Sequence, residues 1–138
     1  MILLDTNVVS ELMRLNPNPK VMAWFETVEG EELLISAITE AELWFGVCAL
    51  PKGKRRNSLE KQIAAMLADE FAGNSLPFES TAAYAYGSIL SGRMALGRPI
   101  SHEDCQIAAI AQVTAMKLAT RNVRDFEQCG IDLINPWA

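Results

Sequence analysis

Histidine is nearly missing from this sequence, which has a single one, His102, and cysteine is sparse, with Cys48, Cys105 and Cys129 far apart. One histidine excludes a two-histidine metal centre and any relay between histidines, and a partly exposed loop position is its expected status. Three scattered cysteines fit neither a disulfide framework nor a paired zinc-ligand motif, so free thiols in a reducing compartment are expected. Long apolar runs are absent too. Stretches such as Ile107 to Ala111 are far too short to span a bilayer, and the amino terminus lacks the basic start and apolar run of a signal peptide. A cytoplasmic protein with no membrane contact is expected. Basic residues are in deficit, with 12 Lys and Arg against 17 Asp and Glu and a formal net charge of −5. That balance excludes holding nucleic acid by bulk phosphate neutralisation, so any such contact must be local. Acidity gathered in one cleft would repel phosphate unless divalent cations intervened.

What is present is enough for one packed interior. The chain has 138 residues, half of them hydrophobic and about a fifth charged, which predicts a single domain over 1–138 and excludes a disordered chain. Short apolar runs at Ile2 to Leu4, Leu33 to Ile35, Leu118 to Ala119 and Leu133 to Ile134 are candidate strands. Between them, Lys20 to Val28, Thr39 to Leu50, Leu59 to Phe71, Thr81 to Leu96 and Glu103 to Ala115 have helical length and composition, with Pro, Gly and Asn around their ends. Lys52 to Arg56 is a basic, Gly-containing link. The alternation predicts an α/β sandwich with a mainly parallel sheet. Leu43, Val47 and Leu50 follow an i, i+4, i+7 pattern that presses one side of their helix on the sheet.

In open parallel sheets the strand carboxyl ends share one edge, and sites form in the crevice beyond it. Asp5 directly follows the first strand, Glu42 lies in the helix after the second, and Asn122 and Asp125 follow the strand around Leu118. Asp104 opens a helix whose apolar residues allow that end to dock beside the first strand. Converging carboxylates would repel one another, and hard cations such as Mg²⁺ or Mn²⁺ are the natural relief. Each residue also has a plainer role. Asp5 can cap the helix after it; Asp104, three residues after Ser101, can belong to a capping arrangement; Asn122 and Asp125 can shape a loop. Glu40 competes with Glu42, because residues two apart on a helix point about 200° apart and cannot both face one ion. Periodicity does not choose between them. Trp24-Phe25 and Trp44-Phe45 place large apolar neighbours on different sides of their helices, as a wide core stripe or as a partner groove.

The segments Met1-Ile-Leu-Leu-Asp-Thr-Asn-Val-Val-Ser10, Ser36-Ala-Ile-Thr-Glu-Ala-Glu-Leu43 and Thr120-Arg-Asn-Val-Arg-Asp-Phe126 together resemble VapC-type toxins of the PIN-domain family, and the FitB-like branch most closely. The likeness extends through Gly46-Val47, Asp104 before an Ile-Ala-Ala helix, and the closing Asn135-Pro136-Trp137. It implies a three-layer α/β/α sandwich and a metal-dependent endoribonuclease with Mg²⁺, or Mn²⁺ as its substitute. It places metal-binding acids at Asp5, Glu42 and Asp104, and thereby selects Glu42 over Glu40. A fourth acid of many relatives falls where this chain has Asn122, with Asp125 one turn later, so either can complete the site. The resemblance further implies an RNA substrate, a cognate VapB-type antitoxin, a homodimer, and contact with operator DNA only through the antitoxin. Two other classes compete. A haloacid-type phosphatase would need Asp-x-Asp where the chain has Asp5-Thr6-Asn7. A non-catalytic metal-binding module would act through an antitoxin-bound regulatory complex.

Overall fold

A computed structural model describes residues 1–138. Its centre is β1 (Ile2–Leu4), three apolar residues buried on both faces, as expected of a strand covered by helices on each side. The chain continues through α1 (Thr6–Leu12), α2 (Pro19–Thr27), β2 (Leu33–Ser36), α3 (Ala37–Cys48), α4 (Lys54–Asp69), β3 (Ser75–Leu76), α5 (Ser80–Ala95), α6 (His102–Val113), β4 (Lys117–Ala119), a 3-10 turn at Val123–Phe126, and β5 (Leu133–Ile134). The five strands lie in the order β3-β2-β1-β4-β5, and every neighbouring pair is parallel.

Alternation of side chains across the strands divides the interior into two cores. Leu3, Leu34 and Leu118 face Ala82, Ala85 and Ile89 of α5, and Ile107 and Ile110 of α6. Ile2, Leu4, Ile35 and Ala119 face Val8 and Val9 of α1, Leu43 and Val47 of α3, and Ile63 and Met66 of α4. The result is the three-layer α/β/α sandwich. Helix α6 is buried from Ile107 through Ala111, and its alanines let it lie close to both α5 and the sheet.

The expected elements are all found, with shifted ends and two additions. Helix α1 enters the sequence reading only as the helix that Asp5 can cap, without bounds, since its seven residues are too few to establish a period. Strand β3 is two residues long and carries no pattern of its own. The 3-10 turn at Val123–Phe126 was expected only as loop. The basic link proves shorter than expected: α4 begins at Lys54, because the Gly53 carbonyl accepts the Asn57 N–H at 3.0 Å and starts the helical ladder there. Of the paired aromatics, Trp24, Phe25 and Trp44 pack partly against the core, whereas Phe45 is 73% exposed.

No helix of the protein is long and apolar enough to cross a membrane.

Candidate active site

Chain order reverses at β1: β2 and β3 extend the sheet on one side, while β4 and β5 lie on the other. The carboxyl ends of β1 and β4 therefore flank a topological switch point, where open parallel sheets leave a crevice. A cleft of about 440 Å³ opens there, and Asp5, Glu42, Asp104, Asn122 and Arg121 are among the residues that line it. Trp137 is its one hydrophobic wall residue.

Asp5 stands directly after β1 and is 4% exposed. Its Oδ1 accepts the Thr6 N–H at 2.8 Å and caps α1, while its Oδ2 accepts the Thr120 hydroxyl at 2.7 Å and the Asn7 side-chain amide at 3.3 Å. Capping and cleft-lining therefore coexist in one side chain. Thr120, fully buried at the end of β4, also accepts the Asn122 N–H at 3.1 Å. One threonine thus ties the acid after β1 to the loop after β4.

Helix α3 is started by Ser36, whose Oγ accepts the Thr39 N–H at 3.2 Å. One turn on, Glu42 Oε1 accepts the Thr6 hydroxyl at 3.1 Å, and that hydroxyl also lies 3.0 Å from Thr39 Oγ1. Glu40 points elsewhere, accepting the Ser75 hydroxyl on β3. The choice that periodicity left open is decided by packing: Glu42 faces the cleft and Glu40 does not. Asp104 sits in the first turn of α6, its backbone N–H donated to Ser101 Oγ at 3.2 Å, so it too has both the helix-start geometry and a place in the cleft.

Asn122 and Asp125 part company. Asn122 lines the cleft, whereas Asp125 lies with Arg93, Arg98 and Arg124 along a separate depression. The 3-10 turn holds Asp125 by its carbonyl, which accepts from the buried Arg93 at 2.8 Å. Its charge still reaches Asp5 and Asp104.

A family model described as PIN domain matches residues 2–131. The chain belongs to the PIN-domain family. It is 41% identical over 137 residues to VapC ribonuclease Y4jK of Sinorhizobium fredii, a match covering 99% of this chain and 98% of that protein. It is 40% identical over 137 residues to Toxin FitB of Neisseria gonorrhoeae, covering 99% of each. Among solved structures, FitAB bound to an IR36 DNA fragment superposes with a TM-score of 0.92 at 40% identity, covering 100% of this chain and 96% of that one.

Electrostatics in this PIN domain follow from crowding acids into a partly dry cleft. Burial raises the Asp5 carboxyl above its ordinary value despite the opposing hydrogen bonds from Thr120, Thr6 and Asn7, with the Asp125 charge adding to the rise. Glu42 is raised by burial, against the Thr6 hydrogen bond, and by the charges of Asp5 and Glu103. Asp104 is pushed up to about 6 by burial and then by Asp5, Asp125 and Glu42, with only Ser101 opposing. Each acid makes its neighbours harder to ionise, a strain that a cation would relieve. The donors are all oxygen, which suits a hard divalent ion and not a thiolate or imidazole metal. No three acidic, His or Cys side chains stand close enough to enclose one ion by themselves, so water would complete its coordination. His102 is engaged with Tyr86 and the three cysteines are free thiols, none of them lining the cleft.

Sequence reasoning missed Thr120, Thr6 and Asn7, which fix the acids, and Trp137 in the wall. The available signal was small polar residues immediately after apolar strands, as in Asp5-Thr6-Asn7 and Ala119-Thr120-Arg121-Asn122.

Proposed function

We propose that this PIN domain is the toxin of a type II toxin–antitoxin pair, a Mg²⁺- or Mn²⁺-dependent endoribonuclease that hydrolyses RNA phosphodiester bonds in the cytoplasm. The observation that carries the reading is the meeting of Asp5, Glu42 and Asp104 in one switch-point cleft, in a chain about as similar to a named VapC ribonuclease as to a named FitB toxin over nearly its whole length. A VapB-type antitoxin is the proposed restraint, since the superposable structures include FitAB and VapBC complexes. The exposed Phe45, which shares a shallow apolar depression with Ile38, Ala41 and Glu42, supports a protein partner beside the cleft. A homodimer, and operator DNA contact through the antitoxin alone, belong to the same reading.

Asp5 and Asp104 would hold the principal ion, Glu42 would share it or a second one, and Asn122 or Asp125 would help position water or metal. When bound, a divalent ion would neutralise phosphate charge and make nearby water a better nucleophile near neutral pH. The chain's own residues do the positioning. Thr120 and Asn7 fix Asp5 Oδ2, Thr6 fixes Glu42, and Ser101 anchors the turn that carries Asp104. Hydrolysis would proceed by in-line attack of water on phosphorus, breaking one P–O ester bond.

Purified, partner-free protein should cleave a cellular RNA pool with Mg²⁺ or Mn²⁺, and Asp5→Ala and Asp104→Ala should remain folded yet lose cleavage. Undiminished cutting by both variants would sink the assignment. Metal binding by folded protein with no cleavage of any RNA would instead favour a non-catalytic metal-binding module. Asn122, an amide where a fourth acid would strengthen the site, is the residue that favours that second reading.

A further inference from the structure

An acidic nuclease must still grip a polyanion, and few of its cations are placed to do so. Lys52, Lys54, Arg55 and Arg56 do not line the cleft, and Arg124 lies along the separate depression with Arg93 and Arg98. Two arginines do line the cleft, Arg14 and Arg121. Arg14 is committed, its Nη1 lying 3.3 Å from both carboxylate oxygens of Glu11. Arg121 is not. Its backbone N–H is donated to Asn7 Oδ1 at 3.2 Å, but its guanidinium makes neither an ion pair nor a hydrogen bond with the protein.

The free guanidinium is nevertheless held in place, with its Cζ 5.3 Å from the centre of the Trp137 ring. A cation over an indole face is attracted by the ring quadrupole. Trp137 is itself set by a turn: β5 ends at Ile134, Asn135 Oδ1 accepts the Trp137 N–H at 2.9 Å, and the Asn135 carbonyl accepts the Ala138 N–H at 3.1 Å. A guanidinium over a ring face that makes no hydrogen bond to the protein keeps its in-plane N–H donors free for bidentate contact with phosphate. The backbone of Arg121 is also linked to the site, because Asn7, its acceptor, donates to Asp5 Oδ2. Sequence-specific RNA recognition mostly takes single-stranded segments, whose backbone and unstacked bases are free to meet side chains such as Arg121 and Trp137.

We infer that Arg121, held over the Trp137 ring, is a clamp for a phosphate of single-stranded RNA flanking the one that is cut. The clamp rests on the ribonuclease reading and adds to it the residue that positions the strand. It explains how a chain of net charge −5 engages RNA through a local contact, and why the one apolar residue of the cleft wall lies beside its one uncommitted cation.

The test is the salt dependence of binding. A fluorescein-labelled twelve-nucleotide single-stranded RNA of mixed sequence is titrated, in Mg²⁺, with protein carrying Asp104→Asn so that the strand stays intact. Adding Arg121→Gln should weaken binding about tenfold, the order expected for one charge-assisted hydrogen-bonded contact. It should also make the slope of log affinity against log salt shallower by about 0.7, the value for one phosphate contact on a single strand. Arg121→Lys should restore the slope without restoring full affinity, and Trp137→Leu should weaken binding severalfold with the slope intact. With Asp104 in place, Arg121→Gln should raise the KM for RNA cleavage and leave kcat within about twofold. An unchanged slope in Arg121→Gln, or a slope that Arg121→Lys fails to restore in folded protein, overturns the clamp; if the wild type still cuts RNA, the ribonuclease reading stands. Wild-type protein that neither binds nor cuts RNA removes both.

Discussion

Asp104→Asn should make the metal-free protein more stable while abolishing its proposed activity. The Asp104 carboxyl is raised from an ordinary 3.8 to about 6 by burial and by Asp5, Asp125 and Glu42. The folded protein therefore retains a proton that the unfolded chain has released between about pH 4 and pH 6, and stability falls as pH rises through that window. At about 1.4 kcal/mol per pH unit the full deficit above pH 6 is roughly 3 kcal/mol. Asparagine removes the charge but keeps the shape. It gives back about 0.3–1 kcal/mol, because a negative charge in the first turn of α6 interacts favourably with the helix dipole. Partial solvent screening in an open cleft lowers the gain further, so a net stabilisation of about 1–2 kcal/mol is expected. For a chain of this length that is about 3–7 °C in Tm. Thermal melts in EDTA at pH 7.5 should show the variant melting higher, and at pH 4 the difference should vanish. Saturating Mg²⁺ should reverse the order, since a ligand held at a hundred times its Kd stabilises the protein that binds it by about 2.7 kcal/mol. A variant no more stable than wild type in EDTA at pH 7.5 would refute the crowding of charge on which the site rests.

Other perturbations separate the remaining parts. Thr120→Val keeps the side-chain volume but removes the donor to Asp5 and the acceptor of the Asn122 N–H; it should cost about 2 kcal/mol in denaturant unfolding and about tenfold in Mg²⁺ affinity by calorimetry. Glu42→Gln should cut RNA cleavage by at least about tenfold, whereas Glu40→Gln, whose carboxylate accepts from Ser75 away from the cleft, should leave cleavage within twofold. Arg93, 3% exposed, donates to the carbonyls of Arg98, Asp125 and Glu127; Arg93→Met should destabilise by about 2 kcal/mol or more, read as a Tm lower by at least about 6 °C.

Much of the architecture was legible in order along the chain. Apolar triplets such as Ile2 to Leu4, helical stretches between them and a polar residue after each strand are local features, set by the two-residue and 3.6-residue periods of strand and helix. Those features placed Asp5 at a strand end and gave the sandwich its class, and the quoted segments named the family resemblance. They did not bound α1 or reveal β3, because seven and two residues are too few to display a period.

Tertiary structure decided what long-range packing alone can decide. The two glutamates of Thr39-Glu40-Ala41-Glu42 have nearly the same neighbours in sequence, yet Ser75 takes one and Thr6 the other. Asn122 and Asp125 are three residues apart, and a 3-10 turn stapled by Arg93 sets Asn122 in the cleft wall while the Asp125 charge reaches Asp5 and Asp104. Thr120 and Asp5 are separated by nearly the whole chain and meet because β4 pairs with β1. Residue type and local period are written in sequence; which side chains share a cleft is set by strand order, and strand order is a property of the folded sheet.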